Sequence, residues 1–546
     1  MAQEYKLKDI TALSEIKPGD KIEAEVEGIP DGKVLLLNHD NKVRALSPRC
    51  THYGAPLKNG VVAPDGRIMC PWHGACFNVS TGDVEDAPAL DALNTFEVSE
   101  KDGAIYIRGT EADIKAGRRN PSIKCSASKP DEKVVIVGGG SGTIGVVQAL
   151  REQNYPGQIT VISQEPDIVI DRPKLSKALI TDPSKILFRD STWLSEAGIK
   201  TISDTVTAVD FTSRSVTSAS GSSIPYTTLV LATGGIPRSL PLPGFTDLAN
   251  VFPLRTVSDV QSIVAATEPS KGKNIVVIGS SFIGLEAGNA LAAENNVTIV
   301  GMESAPLERV MGARVGRIFQ QNLEKNGVKF KLSAGVAKAT PSQADPAAVG
   351  AVHLDDGTVL EADLVVLGVG VRPATDFLKG NAAIELRGDG SVGTDEHFAV
   401  RGVEGVFAVG DIATYPYHGP GGDGQDVRIE HWNVAQNAGR AVAKAIARGG
   451  TTGLKGRGFV PVFWSALGAQ LRYCGNSSFG FDDVIVRGEP ENGKFVAYYT
   501  KGDVVVAVAS MGMDPVMVQS AELMRRGRMP SKKDIAGGVG ALDVSL

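Results

Sequence analysis

Apolar residues recur with period two at the start of the chain. Lys21-Ile22-Glu23-Ala24-Glu25-Val26-Glu27 alternates polar and apolar side chains, which predicts a strand with one buried and one wet face. Further short strands are predicted at Val34 to Leu37, Arg67 to Met69, Thr95 to Val98 and Ala104 to Ile107, so residues 1–109 read as a small antiparallel barrel or sandwich. The pattern then changes. Lys133-Val134-Val135-Ile136-Val137 and Asn274-Ile275-Val276-Val277-Ile278 are strands that run into Gly-rich turns and apolar-periodic helices, the order of α/β nucleotide-binding units. From about residue 458 strands alternate with hairpin turns such as Pro490-Glu491-Asn492-Gly493, and a helix predicted over Asp514 to Arg528 leads into a polar tail.

The expected architecture is therefore multidomain: an all-β unit over 1–109, a linker over 110–130, and an α/β domain in two parts over 131–254 and 389–457. A second α/β domain over 255–388 is inserted in it, and an α+β domain over 458–546 follows. The linker is polar and broken at Gly117-Arg118-Arg119-Asn120-Pro121, which leaves the first domain able to dock on the rest or to swing away from it.

Composition narrows the partners more than the fold. Across 546 residues the net charge is -6, which argues against nucleic acid or an anionic membrane as the main partner. The one basic cluster, Arg525-Arg526-Gly527-Arg528 with Lys532 and Lys533, fits the C-terminal end of the last helix. No apolar run reaches membrane-spanning length, and Met1-Ala2-Gln3-Glu4-Tyr5 has neither signal nor transit character. A cytoplasmic setting is expected, with mitochondrial association as the alternative, and a monomer or homodimer. Of 5 cysteines, Cys76, Cys125 and Cys474 are scattered and read as simple thiols rather than a disulfide framework.

The other two cysteines carry chemistry. Cys50-Thr51-His52 and Cys70-Pro71-Trp72-His73 each offer one thiolate and one imidazole from a short Gly- and Pro-punctuated loop. A zinc site is one reading, although finger-type ligands usually run as a Cys pair followed by a His pair. The alternating order resembles the Rieske [2Fe-2S] signature, in which two His replace two Cys on one iron. That resemblance implies Cys50, His52, Cys70 and His73 as ligands. It also implies a low potential: where high-potential Rieske proteins carry a Cys pair, Ser and Tyr, this chain has Ala55, Trp72, Ala75 and Phe77. With fewer hydrogen bonds to sulfur, a midpoint near or below about -100 mV is expected.

Two dinucleotide fingerprints follow. In the first, Gly138 ends the strand, Gly140 is the second glycine and Ser141 and Gly142 open the helix, but Thr143 replaces the third glycine, which predicts looser helix packing. Glu165, or Gln164 beside it, is the expected ribose acceptor after the next strand. In the second, Gly279, Phe282, Ile283 and Gly284 form the turn, with Ser281 at the middle glycine. Glu303 lies where an acid would accept a bond from a ribose 2′-OH, and no Arg adjoins it to meet a 2′-phosphate, so NADH is expected over NADPH.

The intervening motifs resemble those of ferredoxin reductases and apoptosis-inducing-factor-like flavoproteins. Asp171-Arg172-Pro173-Lys174-Leu175-Ser176-Lys177 is similar to their flavin-contacting segment, and Ala232-Thr233-Gly234 to their crossover between nucleotide domains. Gly370 lies in a turn similar to the exit of the NAD domain, and Gly410-Asp411 in one similar to the return to FAD. The resemblance implies a Lys177–Glu286 catalytic pair beside flavin and nicotinamide, with Glu430, His431, Trp432 and Trp464 walling the flavin pocket. Taken together, the motif order resembles a Rieske-fused apoptosis-inducing-factor-like FAD- and NAD-dependent oxidoreductase. It implies electron flow from NADH through FAD and a [2Fe-2S] cluster to an external redox protein or small-molecule acceptor. A slow, redox-sensing signalling protein is the alternative. No Cys-x-x-Cys or Cys-x4-Cys pair stands near the flavin motifs, so dithiol chemistry is not expected there.

Overall fold

The computed structural model describes residues 2–121, 123, 128–268, 270–452, 454 and 458–546. Cys125, read from the sequence as a simple thiol, lies outside them.

The N-terminal domain is all β. A six-stranded antiparallel sheet contains Lys21–Glu25, Lys33–His39, Thr95–Lys101 and Ala104–Gly109, and a smaller four-stranded sheet runs Val61–Ala63, Arg67–Met69, Cys76–Asn78, Val84–Asp86. The strand predicted from Lys21 to Glu27 spans Lys21–Glu25, and burial alternates from Ala24 to Glu27, while Glu23 is drawn in by Lys33 and Arg49. The segment taken as linker begins instead with a helix, Glu111–Ala116, capped by the Thr110 side chain and ended at Gly117 in the left-handed region, φ 64°. Arg119 then pairs through its backbone with Ala92, returning the chain to the first domain.

Two parallel five-stranded sheets follow. One places Lys129–Val137 centrally, with Gly157–Ser163 and Ile199–Ser203 on one side and Thr228–Leu231 and Val406–Ala408 on the other. The other is built around Asn274–Ile278, flanked by Asn296–Val300 and Leu364–Leu367. The two crossings between these domains pair with each other: Gly235–Pro237 runs antiparallel to Val371–Pro373. Apolar strands buried on both faces explain why these segments read as continuous hydrophobic runs.

Thr143 does not loosen the first nucleotide fold, contrary to the sequence expectation. Its hydroxyl donates to Gly138 O at 2.7 Å, tying the turn closed. The close helix contact is made further on: a Cβ at Gly145 would lie 2.2 Å from Gln436 O, and one at Gly439 would lie 2.2 Å from Gly142 O. Helices Ser141–Glu152 and Trp432–Ala447 thus meet backbone to backbone.

The C-terminal domain is a five-stranded antiparallel sheet with helix Val516–Arg525 packed on it. Its core is continuous with that of the first domain. Val61, Ala63, Met69 and Cys76 pack in one cluster with Val460, Val462, Val508, Met517 and Leu523. The basic cluster belongs to the same seam: Arg525 and Arg526 pair with Glu522, and Arg525 reaches Asp65, while Glu522 accepts from Arg67 at 3.2 Å. The sequence placed these arginines only at a helix end. Among the described residues, no helix is long and apolar enough to cross a membrane.

Candidate functional site

Each Cys/His loop is held by the same backbone pattern. Cys50 N–H donates to Ala55 O at 2.9 Å and Gly54 N–H to Cys50 O at 2.9 Å; Cys70 N–H donates to Ala75 O at 2.8 Å and Gly74 N–H to Cys70 O at 3.2 Å. Gly54 and Gly74 make the turns at φ 77° and 72°, the left-handed region that favours glycine. The second loop links Arg67–Met69 to Cys76–Asn78, so its position is set by a hairpin of the smaller sheet.

The four donors divide into two pairs. The thiols of Cys50 and Cys70 face each other, and the Nδ1 atoms of His52 and His73 lie 3.0 Å apart. Among the described residues no three His, Cys, Asp or Glu converge as one metal ion would require. A sulfur pair beside a nitrogen pair disfavours a single tetrahedral zinc and fits a two-iron cluster with one iron per pair. Burial pushes His52 down to about 3, with Lys174 adding to the shift, and His73 also falls well below its ordinary value by burial first. Both imidazoles are thereby neutral and able to act as ligands. Cys50 is raised, by its bond with Cys70 first and then by burial. Burial acts to raise Cys70, but the Cys50 bond, the N–H groups of Trp72 and His73 and the charge of Arg472 bring it down. The backbone N–H groups of His52 and Tyr53 face Cys50 in the same way. Counting side-chain hydroxyls in the sequence missed these donors to sulfur.

A cavity of about 470 Å³ lies behind the histidines. Of the sequence-derived residues it is lined by Gly138, Gly140, Ser141, Gly142, Gln164, Glu165, Arg172, Lys177, Ala232, Thr233, Gly234, Phe282, Ile283, Glu286, Gly410, Asp411, Glu430, His431, Trp432 and Trp464. Gly279, Gly284, Glu303 and Gly370 do not line it and belong to the second nucleotide domain. The residues fit FAD on three counts. A Cβ at Gly140 would meet nothing within 4 Å, leaving an open approach at the helix N-terminus for a pyrophosphate. Nδ1 of His431 and Nε1 of Trp432 are buried without a partner. Arg172, Lys177 and Arg255 bring positive charge to the walls.

Charged pairs order this cavity. Arg172 donates to Glu165 at 2.8 Å, and Arg255, which the sequence did not single out, donates to Asp411 at 2.8 Å. Lys177 Nζ lies 2.9 Å from Glu286 Oε1, and Glu286 also accepts from the hydroxyls of Ser176 and Ser465. Glu286 is 2% exposed and joins three domains through Lys177, Ser176 and Ser465. Glu430 is raised above the usual carboxylate range by burial and by Asp411, although Arg428 opposes it, and burial pushes His431 down to about 4. At the second fingerprint Gly279 and Gly284 are required by close backbone approach, 2.3 Å to Gly368 O and 2.0 Å to Gly279 O for an added Cβ. Arg309, six residues beyond Glu303, donates to its carboxylate, so an arginine does stand at this acid despite its absence next to it in the sequence.

Cluster loops and cavity share a wall. Trp464 lines the cavity and packs on His73 with ring centroids 4.6 Å apart, and on His52 at 5.8 Å. Tyr53 stacks on His52 at 3.8 Å, and its hydroxyl donates to Asp171, just before Arg172. More polar contacts hold the domains together. Arg189 reaches Asp91 at 2.7 Å, Asn433 donates to Ala87 O at 2.9 Å, and Arg440 donates to Val84 O at 2.8 Å. With the shared core, they hold the first domain docked rather than swung away.

Fold and site together define a two-dinucleotide flavoprotein reductase carrying an iron–sulfur domain. Family comparisons agree: residues 6–97 match the Rieske [2Fe-2S] domain, 132–439 the pyridine nucleotide-disulphide oxidoreductases and 462–542 the reductase C-terminal domain. The chain is 36% identical to human (Homo sapiens) apoptosis-inducing factor 3 over 515 residues, covering 92% of this chain and 82% of that protein. It is 32% identical to the ferredoxin–NAD(+) reductase subunit of the benzene 1,2-dioxygenase system of Pseudomonas putida, over 65% of this chain and 83% of that one. Among solved structures, the covalent putidaredoxin reductase–putidaredoxin complex matches with a TM-score of 0.68 and 28% identity, over 75% of this chain and 96% of that one. The ferredoxin reductase for the CYP199A2 system of Rhodopseudomonas palustris matches at 0.67 and 29%, over 74% and 96%. The chain belongs to the pyridine nucleotide-disulphide oxidoreductase family, as a Rieske-fused member related to apoptosis-inducing-factor-like ferredoxin reductases. It is an electron-transfer reductase, passing electrons from a nicotinamide cofactor through FAD to an iron–sulfur centre or acceptor protein.

Proposed function

We propose that this chain oxidises NADH and delivers single electrons, through its own [2Fe-2S] domain, to an external one-electron acceptor. Bound FAD would supply the exchange between a two-electron hydride and single electrons, and the cluster a one-electron outlet. The observation that carries the reading is the wall formed by Trp464, with the flavin cavity on one side and His73 on the other.

The chain's own residues divide the work. Gly138, Gly140, Ser141 and Gly142 would cradle a pyrophosphate, Glu165 would hold a ribose, and Asp411, fixed by Arg255, would bond the ribityl chain. Ala232, Thr233, Gly234, Gly410, Glu430, His431 and Trp432 close the flavin pocket. Phe282 and Ile283 would line the nicotinamide side, and the Lys177–Glu286 pair would fix a positive charge beside the flavin. Cys50, His52, Cys70 and His73 would hold the cluster. Mixing the anaerobic holoprotein with NADH tests the internal route: the cluster is expected to bleach after the flavin. Loss of flavin colour with a cluster that stays oxidised would refute it. Slow turnover with a persistent charge-transfer band would favour the redox-sensing alternative.

NADH preference rests on Glu303, whose carboxylate would accept from a ribose 2′-OH and repel a 2′-phosphate. Arg309 is exposed and its pair with Glu303 is weak, so the acid remains free to turn to the ribose. In Glu303→Ala the same arginine is released to meet a phosphate. The ratio of kcat/KM for NADH over NADPH is then expected to fall about tenfold or more, the worth of one charged hydrogen bond; an unchanged ratio would remove Glu303 from the selection.

A further inference from the structure

A cation from the last domain faces the metal centre of the first. Strands Val462–Ala466 and Gln470–Gly475 pair antiparallel with Trp464 directly opposite Arg472, so both side chains leave the same face of the sheet. That face meets the cluster loops, since Trp464 packs on His73. Arg472 is 7% exposed. Its Nε lies 3.1 Å from Asp514 Oδ1 yet makes no hydrogen bond, so the guanidinium is incompletely satisfied by protein. Val462, two residues before Trp464 on the same strand, meets the second loop as well: a Cβ at Gly74, beside His73, would lie 3.4 Å from its side chain.

We propose that Arg472 sets the reduction potential of the centre held by Cys50, His52, Cys70 and His73. This rests on the reading of those four residues as cluster ligands. One-electron reduction adds one negative charge and no proton. A buried guanidinium on the cluster side of a low-dielectric seam stabilises that charge far more than a solvated one, and Asp514 offsets part of the effect. The backbone donors to sulfur act in the same direction, against the low potential read from Ala55, Ala75 and Phe77. Because cation and ligands belong to different domains, reduction and docking are linked: whatever Arg472 contributes to reduction it also contributes to holding the domains together.

Anaerobic titration of the holoprotein, following the reduced cluster by electron paramagnetic resonance, tests this. In Arg472→Gln the midpoint is expected to move negative, shifting an electron's partition between flavin and cluster about tenfold, or about 59 mV for a one-electron couple. Arg472→Lys, which keeps the charge, is expected to stay near wild type. Asp514→Asn is expected to move the midpoint positive. Equal midpoints in wild type and Arg472→Gln would overturn the proposal. Should Arg472→Gln fail to fold, Asp514→Asn decides, and an unshifted midpoint there overturns it. Absence of a Rieske-type signal from wild type would instead overturn the ligand reading.

Discussion

Replacing His73 with alanine is expected to abolish the Rieske signal while NADH still reduces the flavin. His73 and His52 present their Nδ1 atoms 3.0 Å apart, and the two thiols are paired with each other, so each metal position has only two protein donors. Removing an outer partner of a metal ligand commonly costs 10–100-fold in affinity, and removing a ligand exceeds that. His73 does not line the flavin cavity, so hydride transfer has no reason to fail with it. Iron content, the resonance signal of the reduced protein and the rate of flavin bleaching give three separate readings. Full iron and an unaltered signal in His73→Ala would exclude this residue as a ligand.

Glu286→Ala is expected to affect the other end of the electron path, slowing flavin reduction by about a hundredfold, the scale of a misplaced catalytic group. The carboxylate holds Lys177 at 2.9 Å and accepts from Ser176 and Ser465, so its removal frees the lysine and two hydroxyls at once. Lys177 would then carry a partly buried charge without its partner, and a loss of about 3 kcal/mol in stability accompanies the kinetic defect. Glu286→Gln keeps the shape and one acceptor oxygen but not the charge, and its amide NH2 leaves one hydroxyl to reverse its role from donor to acceptor, so it largely separates loss of charge from loss of packing. Rapid mixing with NADH reads the kinetic defect and denaturant unfolding reads the stability. A normal rate of flavin reduction in both variants would remove the pair from hydride transfer.

What the sequence showed follows from how local each feature is. Cys50, His52, Cys70 and His73 could be picked out because each loop is a short, Gly-terminated turn that needs no distant partner. Gly138, Gly140, Gly279 and Asp411 were legible for the same reason: the constraint is a turn or a close backbone approach written in adjacent residues. Lys177 and Glu286 lie 109 positions apart, and only the matched motifs around them allowed them to be paired before the structure showed the contact.

Features made by domains meeting were not legible. Arg472 reads as an ordinary strand residue, and nothing beside it indicates that its cross-strand neighbour Trp464 touches a metal ligand. Arg255 precedes the cap of helix Val257–Thr267 and would be taken for a boundary residue, although it holds Asp411. Thr143 looked like a defect in the glycine pattern because the close approach is made by Gly145 and Gly439 between two helices nearly 300 residues apart. Arg309 escaped notice at Glu303 because a helical turn, not adjacency, brings it back. In each case the decisive neighbour is set by tertiary packing, which periodicity does not encode.

The core shared by Val61, Met69 and Cys76 with Val462, Met517 and Leu523 also bears on kinetics. Where reductase and iron–sulfur protein are separate molecules, each electron waits on an encounter, and its rate varies with concentration and ionic strength. Here donor and acceptor are built into one chain and packed against each other. Transfer between them becomes a first-order event, insensitive to dilution and little affected by salt, and only delivery to the outside partner remains a matter of collision.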